Sequence, residues 1–237
     1  MLSGETDPAG ACVFLLDVDN TLFDNDGFAA DLAGHLQRNF GDVGRDRYWT
    51  LYENLRNEVG YADYLGALQR FRTELEGDRA ILKLGAWMLD YAYAGHLYPH
   101  ALEAIAHVQA LGTTAILSDG DAVMQPHKIR RGGLWEALRG EVMVFIHKQH
   151  MLDAVQQRYP AGHYVMVDDK AQVLAQMKQV MGAQLTTVFV RQGHYAAETG
   201  ADVDPAPDMQ IAHIGDLRRY ATDDFRRAAA ATPLPTE

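Results

Sequence analysis

The sequence predicts an α/β fold: a doubly wound parallel, Rossmann-like sheet interrupted by an inserted all-helical segment. Three observations predict it. Short apolar runs of strand length alternate with amphipathic stretches of helix length. That alternation breaks once, between residues 25 and 95, where only helical periodicity is found. Nearly every conspicuous polar group follows directly on an apolar run, which places them together at the C-terminal edge of a parallel sheet, where such folds bind their ligands. With 237 residues, 48% of them hydrophobic, the chain can bury a full core and still carry an insertion.

Residues 12–16 (Cys-Val-Phe-Leu-Leu) have the composition of a buried parallel strand and run straight into Asp17-Val18-Asp19-Asn20-Thr21. Two carboxylates two residues apart at a strand end approach a ligand from one side at different depths. One can attack while the other moves a proton. Taken alone, the pair also reads as a turn or a loose cation site.

From Gly27 to about Gly95 the apolar period becomes 3.6. Phe28, Leu32, Leu36 and Phe40, then Trp49, Tyr52 and Leu55, then Leu65, Leu68, Phe71 and Leu75, then Ile81, Leu84, Met88 and Tyr91 mark about four helices. Their aromatics are read as packing faces. Breaks are expected at Gly41-Asp42-Val43-Gly44, Gly60 and Gly77-Asp78. Arg45 and Arg47, just past the first break, are expected either to reach a leaving group or to keep an exposed connection soluble.

After Tyr98-Pro99 the alternation resumes. A helix ends at Leu111-Gly112, and a strand over 113–117 ends in Ser118-Asp119-Gly120. A helix and turn over 129–138 lead to a strand over 142–146, ending at His147-Lys148. The next helix, through Leu152 and Val155, leads to a strand over 164–167 that ends in Asp168-Asp169-Lys170. A helix over 173–180 precedes the fifth strand, 185–190, which ends in Arg191-Gln192-Gly193-His194. The basic run His127, Lys128, Arg130 and Arg131 reads as a solvated helix face in preference to an anion site, and His147 and His150 as strand-end and surface histidines in preference to groups that tune Lys148. His194 lies at the end of the fifth strand, near enough to the crevice edge to be a substrate contact. Residues 204–208 read as a turn-rich loop and 228–237 as a frayed tail.

The formal charge of −11 argues against a nucleic-acid partner, whose binding surfaces are basic, but not against a small phosphate ester held locally. The single cysteine, Cys12, excludes an internal disulfide framework and fits a reducing compartment. No run approaches the roughly eighteen apolar residues that span a bilayer. Residues 1–10 lack the basic and apolar regions of a secretory signal. A cytoplasmic protein without a membrane partner, monomeric or homodimeric, is the expectation.

Bringing a dianionic phosphate beside a carboxylate nucleophile requires cations to cancel the repulsion. Lys148 supplies one. Mg²⁺, which prefers oxygen ligands, supplies another if Asp17 and a member of the Asp168-Asp169 pair hold it. Ser118 and the amides around Asp119 and Gly120 can donate to phosphoryl oxygens.

In that order, Asp17-Val18-Asp19-Asn20-Thr21, Ser118-Asp119-Gly120, Lys148 and Asp168-Asp169 resemble the four motifs of the haloacid dehalogenase-like hydrolase superfamily. The resemblance spans residues 11–197 and makes the helical block similar to that family's C1-type cap. It divides the chain into a core of residues 1–24 and 96–237 and a cap of 25–95. It implies that Asp17 is the nucleophile that becomes an aspartyl-phosphate. Asp19 is then the acid to the leaving group and the base for water, with its backbone carbonyl on the metal. Ser118, Asp119 and Gly120 bind phosphate, and Lys148 orients nucleophile and phosphate. Asp169 is the first choice as direct Mg²⁺ ligand, with Asp168 outer or alternate. The second motif has Asp119 where many relatives have Asn, so its side chain is expected to turn away and leave only its N–H. The third lacks the proline that often follows the lysine. The implied activity is a Mg²⁺-dependent phosphatase acting on a small phosphorylated metabolite. Competing readings are a 2-haloacid dehalogenase, a phosphomutase, a phospho-accepting signalling domain and a non-catalytic binding domain.

Overall fold

The computed structural model describes residues 10–198 and 202–231. The core is a six-stranded sheet in the order β3-β2-β1-β4-β5-β6, with every pairing parallel. Its strands are β1 (Cys12–Leu16), β2 (Thr113–Asp119), β3 (Val142–Phe145), β4 (His163–Asp168), β5 (Leu185–Val190) and β6 (Met209–Ile211). The sixth is an addition to the five expected, and at three residues it is too short to show a period. The chain leaves β1 for β2 on one side and later places β4 on the other, so the strand order reverses at β1. That reversal opens a crevice above the C-terminal end of β1.

Alternation along each strand builds two cores. Phe14, Leu16, Ile116, Val165, Val167, Val188 and Val190 belong to one apolar cluster. It includes Ile105 and Val108 of α4 (Ala101–Leu111) and Phe225 of a C-terminal helix, Thr222–Ala231. Val13, Leu15, Ala115, Leu117, Tyr164, Met166 and Phe189 join the other, with Leu152 and Val155 of Leu152–Arg158 and Leu174 and Met177 of Ala171–Met181. Residues 228–231 are therefore helical, because Phe225 and Ala229 bury one face against the sheet; the rest of the expected tail, 232–237, lies outside the described residues.

Between β1 and β2 the chain is helical: α1 (Asn25–Val59), α2 (Tyr64–Arg72) and α3 (Arg79–Leu89). Asp24, Asp63 and Asp78 cap them by accepting from the N–H groups of Gly27, Gly66 and Ala80. α1 kinks at Gly41, whose φ of 69° and extended ψ interrupt the helix, and it ends at Gly60 with φ 86°. A side chain at Gly60 would be strained by that φ, and its Cβ would fall 2.6 Å from the exposed His147 ring, which would have to move. Of the aromatic residues read as packing faces, Phe28, Tyr52, Phe71 and Tyr91 are buried and Phe40 and Trp49 pack partly buried against the core, while Trp49 and Tyr52 also line a cavity. Tyr48 is buried as well, and its Oη donates to Tyr64 O at 2.9 Å.

The two chain segments joining these helices to the sheet pair with each other. Asp24 N–H donates to His96 O at 2.8 Å and Tyr98 N–H to Leu22 O at 2.9 Å, with Phe23 opposite Leu97. This ribbon holds the helices over the crevice. Among the described residues no helix is long and apolar enough to cross a membrane.

Candidate active site

Register brings the acids together. Leu16 pairs with both Ile116 and Val167, so Asp17 and Asp168 emerge at one level with Ser118 one residue beyond it, and Asp17 N–H still donates to Val167 O at 3.0 Å. Asp17 is almost wholly buried, and Asp168, Asp169 and Lys148 are buried beside it. Lys148 Nζ lies 2.5 Å from Asp17 Oδ1 and 2.7 Å from Asp168 Oδ2. Ser118 Oγ is 3.4 Å from Asp17 Oδ1.

Oxygens of Asp17, Asp168 and Asp169 lie within 4.8 Å of one another. Asp168 is committed on both sides: Oδ1 accepts from Lys170 N–H at 2.8 Å, while Oδ2 meets Lys148 as an ion pair outside hydrogen-bond geometry. Neither oxygen of Asp169 has a partner, although both are buried. Unpaired buried carboxylate oxygens are costly, and a hard cation is the partner that would satisfy them. The residues fit Mg²⁺ on this ground, with Asp169 the better first ligand of the pair. The Asp19 side chain stands outside this group, so any part Asp19 takes would fall to its backbone.

Electrostatics agree. Burial, and then the repulsion of Asp168, push the carboxyls of Asp17 and Asp169 well above the usual range, against the pull of Lys148 and Lys170. Burial disfavours the ammonium groups of Lys148 and Lys170, but the surrounding carboxylates outweigh it and raise both. The directions are consistent: three acids compete for too little positive charge.

The structure redistributes the expected phosphate ligands. Asp119 turns its carboxylate to the backbone N–H of Lys148, 2.7 Å away. Gly120 is a correction: its N–H donates to Phe145 O at 2.9 Å and so is not available to phosphate. Since Ile116 N–H also points to β3, the period of two directs the Asp119 N–H to the β1 side, toward Asp17. Gly120 instead leaves room for Gln125, whose Cβ would lie 2.8 Å from any side chain there.

Lys128 is a second correction. The basic run 127–131 was expected to be a solvated face, but Lys128 is 2% exposed and its ammonium contacts Asp19 Oδ1. It sits on α5 (Met124–Arg131) one turn from Met124, among the buried residues Met124, Gln125 and Ile129. A lysine four residues from an apolar one on a short patterned helix was the signal for burial.

A cavity of about 220 Å³ opens between the sheet edge and the helices, lined by Asp19, Asn25, Trp49, Tyr52, Arg56, Tyr61, Lys170 and Tyr195 among others. His194 is on its wall, with Nδ1 2.5 Å from Asp26 Oδ1. Arg45 and Arg47 are not. Arg45 pairs with Asp42 and Asp46, and Arg47 with Glu74 on the outer surface. The arginine at the cavity is Arg56, which reaches the Tyr195 hydroxyl. His147 and His150 face each other at 5.6 Å outside it.

A parallel sheet with a strand-order reversal, an acidic crevice and helices held above it defines a doubly wound α/β protein whose site lies at the C-terminal edge of the sheet. The chain is 50% identical to a haloacid dehalogenase-like hydrolase of Burkholderia xenovorans, over 91% of this chain and 98% of that one, with a TM-score of 0.85. It therefore belongs to the haloacid dehalogenase-like hydrolases. An L-2-haloacid dehalogenase of Xanthobacter autotrophicus is 21% identical over 87% of this chain and 96% of its own, with a TM-score of 0.56. A magnesium-bound hydrolase of the same family from Bacillus subtilis is 16% identical over 89% and 98%, with a TM-score of 0.60. The likeness to these two is one of fold. No family model and no curated protein matches the sequence.

Proposed function

We propose that the chain is a Mg²⁺-dependent phosphatase that hydrolyses a small phosphate monoester through an aspartyl-phosphate on Asp17. The carrying observation is the pair of features that a haloacid hydrolysis does not use: a second acid, Asp19, facing the cavity, and Asp169 with both buried oxygens unpartnered. A halide leaves without a proton and needs no cation.

In this reading the Asp17 carboxylate, held by Lys148, attacks phosphorus, and the bond to the ester oxygen breaks with its electron pair. Asp19 gives that oxygen a proton, then takes one from the water that attacks the aspartyl-phosphate. Ser118 Oγ and the Asp119 N–H hold phosphoryl oxygens, and Lys148 orients them. Asp17, Asp169 and Asp168 would hold Mg²⁺, which would supply the missing positive charge at the phosphoryl group. The helices act as the cap, and the small cavity beneath them favours a compact leaving group.

The test is release of phosphate from a panel of small phosphate monoesters, and of halide from 2-haloacids, with and without chelator. Phosphate release that chelation abolishes and Mg²⁺ restores is expected. Halide release indifferent to chelator overturns the reading in favour of a dehalogenase, the activity for which the Xanthobacter neighbour is named.

A further inference from the structure

Asp19 is held by a helix that carries none of the four motifs. Gln125 and Lys128, three residues apart on α5, both point at it and both are buried. The Lys128 ammonium contacts Oδ1, lies 3.3 Å from Asn25 Oδ1 and sits 5.3 Å from the centre of the Phe23 ring. Gln125 Nε2 donates to Asp19 Oδ2 at 3.2 Å and to Ser118 Oγ at 3.0 Å. The Asp19 side chain is a quarter exposed, and it is part of the cavity wall. Lys128 is buried and absent from that wall, so it reaches the cavity through Asp19 and Asn25, not directly.

Resting on the phosphatase reading, we propose that Lys128 is a positioning residue which, with Gln125, fixes the Asp19 carboxyl so that Oδ2 alone exchanges the proton with the leaving group. An ammonium against Oδ1 repels a proton there. Oδ2 accepts from a neutral amide, which leaves it free to carry a proton at the cavity wall that Asp19 lines. As the phosphorus bond to Asp17 forms and the bond to the ester oxygen breaks, the electron pair stays on that oxygen and the Oδ2 proton moves to it. In the second half water bonds to phosphorus, its proton passes to Oδ2, and the Asp17–phosphorus bond breaks with its pair returning to Asp17.

Accurate placement of this proton matters most when the leaving oxygen is basic. The experiment is therefore a series of ring-substituted phenyl phosphates, alike in shape and graded in leaving-group basicity, assayed with Mg²⁺. In Lys128→Met, kcat/KM, which reports the step that expels the leaving group, should fall about 100-fold on phenyl phosphate and less than about 10-fold on para-nitrophenyl phosphate. Lys128→Arg should recover part of the loss on phenyl phosphate. Gln125→Leu should show the same skew with a smaller amplitude, and it carries the test if Lys128→Met does not fold. Uniform loss across the series, or a change confined to KM, overturns the assignment and leaves Lys128 a packing residue. A wild-type chain that releases phosphate from no member of the series overturns the phosphatase reading itself, and this proposal with it.

Discussion

Each end of the sheet holds a buried group of charges, and the two are built on opposite terms. At the N-terminal end Lys178 Nζ donates to Leu185 O at 2.7 Å and meets Asp208 Oδ2 at 2.9 Å. The same oxygen accepts from Thr187 N–H at 2.8 Å, and Asp208 N–H donates to Thr187 Oγ1 at 3.0 Å. One cation meets one anion, with Thr187 and the backbone adding bonds to Asp208 Oδ2, so the charges balance although Asp208 Oδ1 has no hydrogen-bond partner among the described residues. At the C-terminal end Asp17, Asp168 and Asp169 crowd around Lys148, and Asp169 is left with nothing. A self-neutralised buried pair fastens β5 to the start of β6. An under-neutralised cluster is a site that must be completed from outside.

The sharpest way to break this comparison is to neutralise one member at the functional end. Asp17→Asn keeps the shape and removes the attacking charge, so turnover should fall about 1,000-fold or more, roughly 4 kcal/mol in the barrier. Removing one acid from an over-acidic cluster should also leave the melting temperature unchanged or higher. Steady-state assays and thermal melts check both. Near wild-type hydrolysis by the variant would remove Asp17 as nucleophile.

The structural end should respond in the reverse sense. Asp208→Asn leaves the Lys178 ammonium buried without its carboxylate, which should cost about 3–5 kcal/mol of stability. For a chain of this length that is a drop in melting temperature on the order of 10 °C. At a temperature where the variant is folded, kcat should match the wild type. If kcat falls with stability, the two ends are coupled through the sheet and the division between them fails.

The sequence made the functional end legible because its acids follow apolar runs, and register does the remaining work. Asp17, Ser118, Lys148 and Asp168-Asp169 all lie where strand ends put them. The helical breaks at Gly41, Gly60 and Gly77-Asp78 were legible for a local reason, since each marks a kink, a cap or a helix start. What escaped were partners distant in sequence. Lys128, read as surface charge, finds Asp19 across 109 residues, and Lys178, of which the sequence pattern said nothing, finds Asp208 across 30, each turned inward by its helix. Of the two readings of Arg45 and Arg47 the structure favours the exposed connection, and what the sequence did not show is that Arg47 pairs with Glu74, 27 residues away. The Gly120 amide was misassigned because its donor is spent on β3, a pairing that composition does not reveal.

The smallest effect tests the structural end without touching its ion pair. His163, at the start of β4, has Nε2 2.7 Å from Thr186 Oγ1, and that hydroxyl donates to Phe225 O at 2.7 Å. The Thr186 proton is thus spent, so its oxygen accepts from Nε2–H, and the buried imidazole is neutral with Nδ1 bare. Burial, and then the positive charges of Arg226 and Lys178, push its pKa from 6.5 down to about 4, with Asp208 opposing. Because the unfolded chain takes up this proton first, the contribution to stability is full above pH 6.5. It is lost as pH falls from 6.5 to about 4, and by no more than ~3 kcal/mol in total. Other acids titrate over the same range, so the informative quantity is a difference between proteins. Urea midpoints at about pH 7 and about pH 4.5 should lie closer together in His163→Gln, which keeps an N–H for Thr186, than in the wild type. Equal gaps in the two proteins would show that the acid sensitivity of the fold comes from elsewhere, the crowded acids of the C-terminal end included.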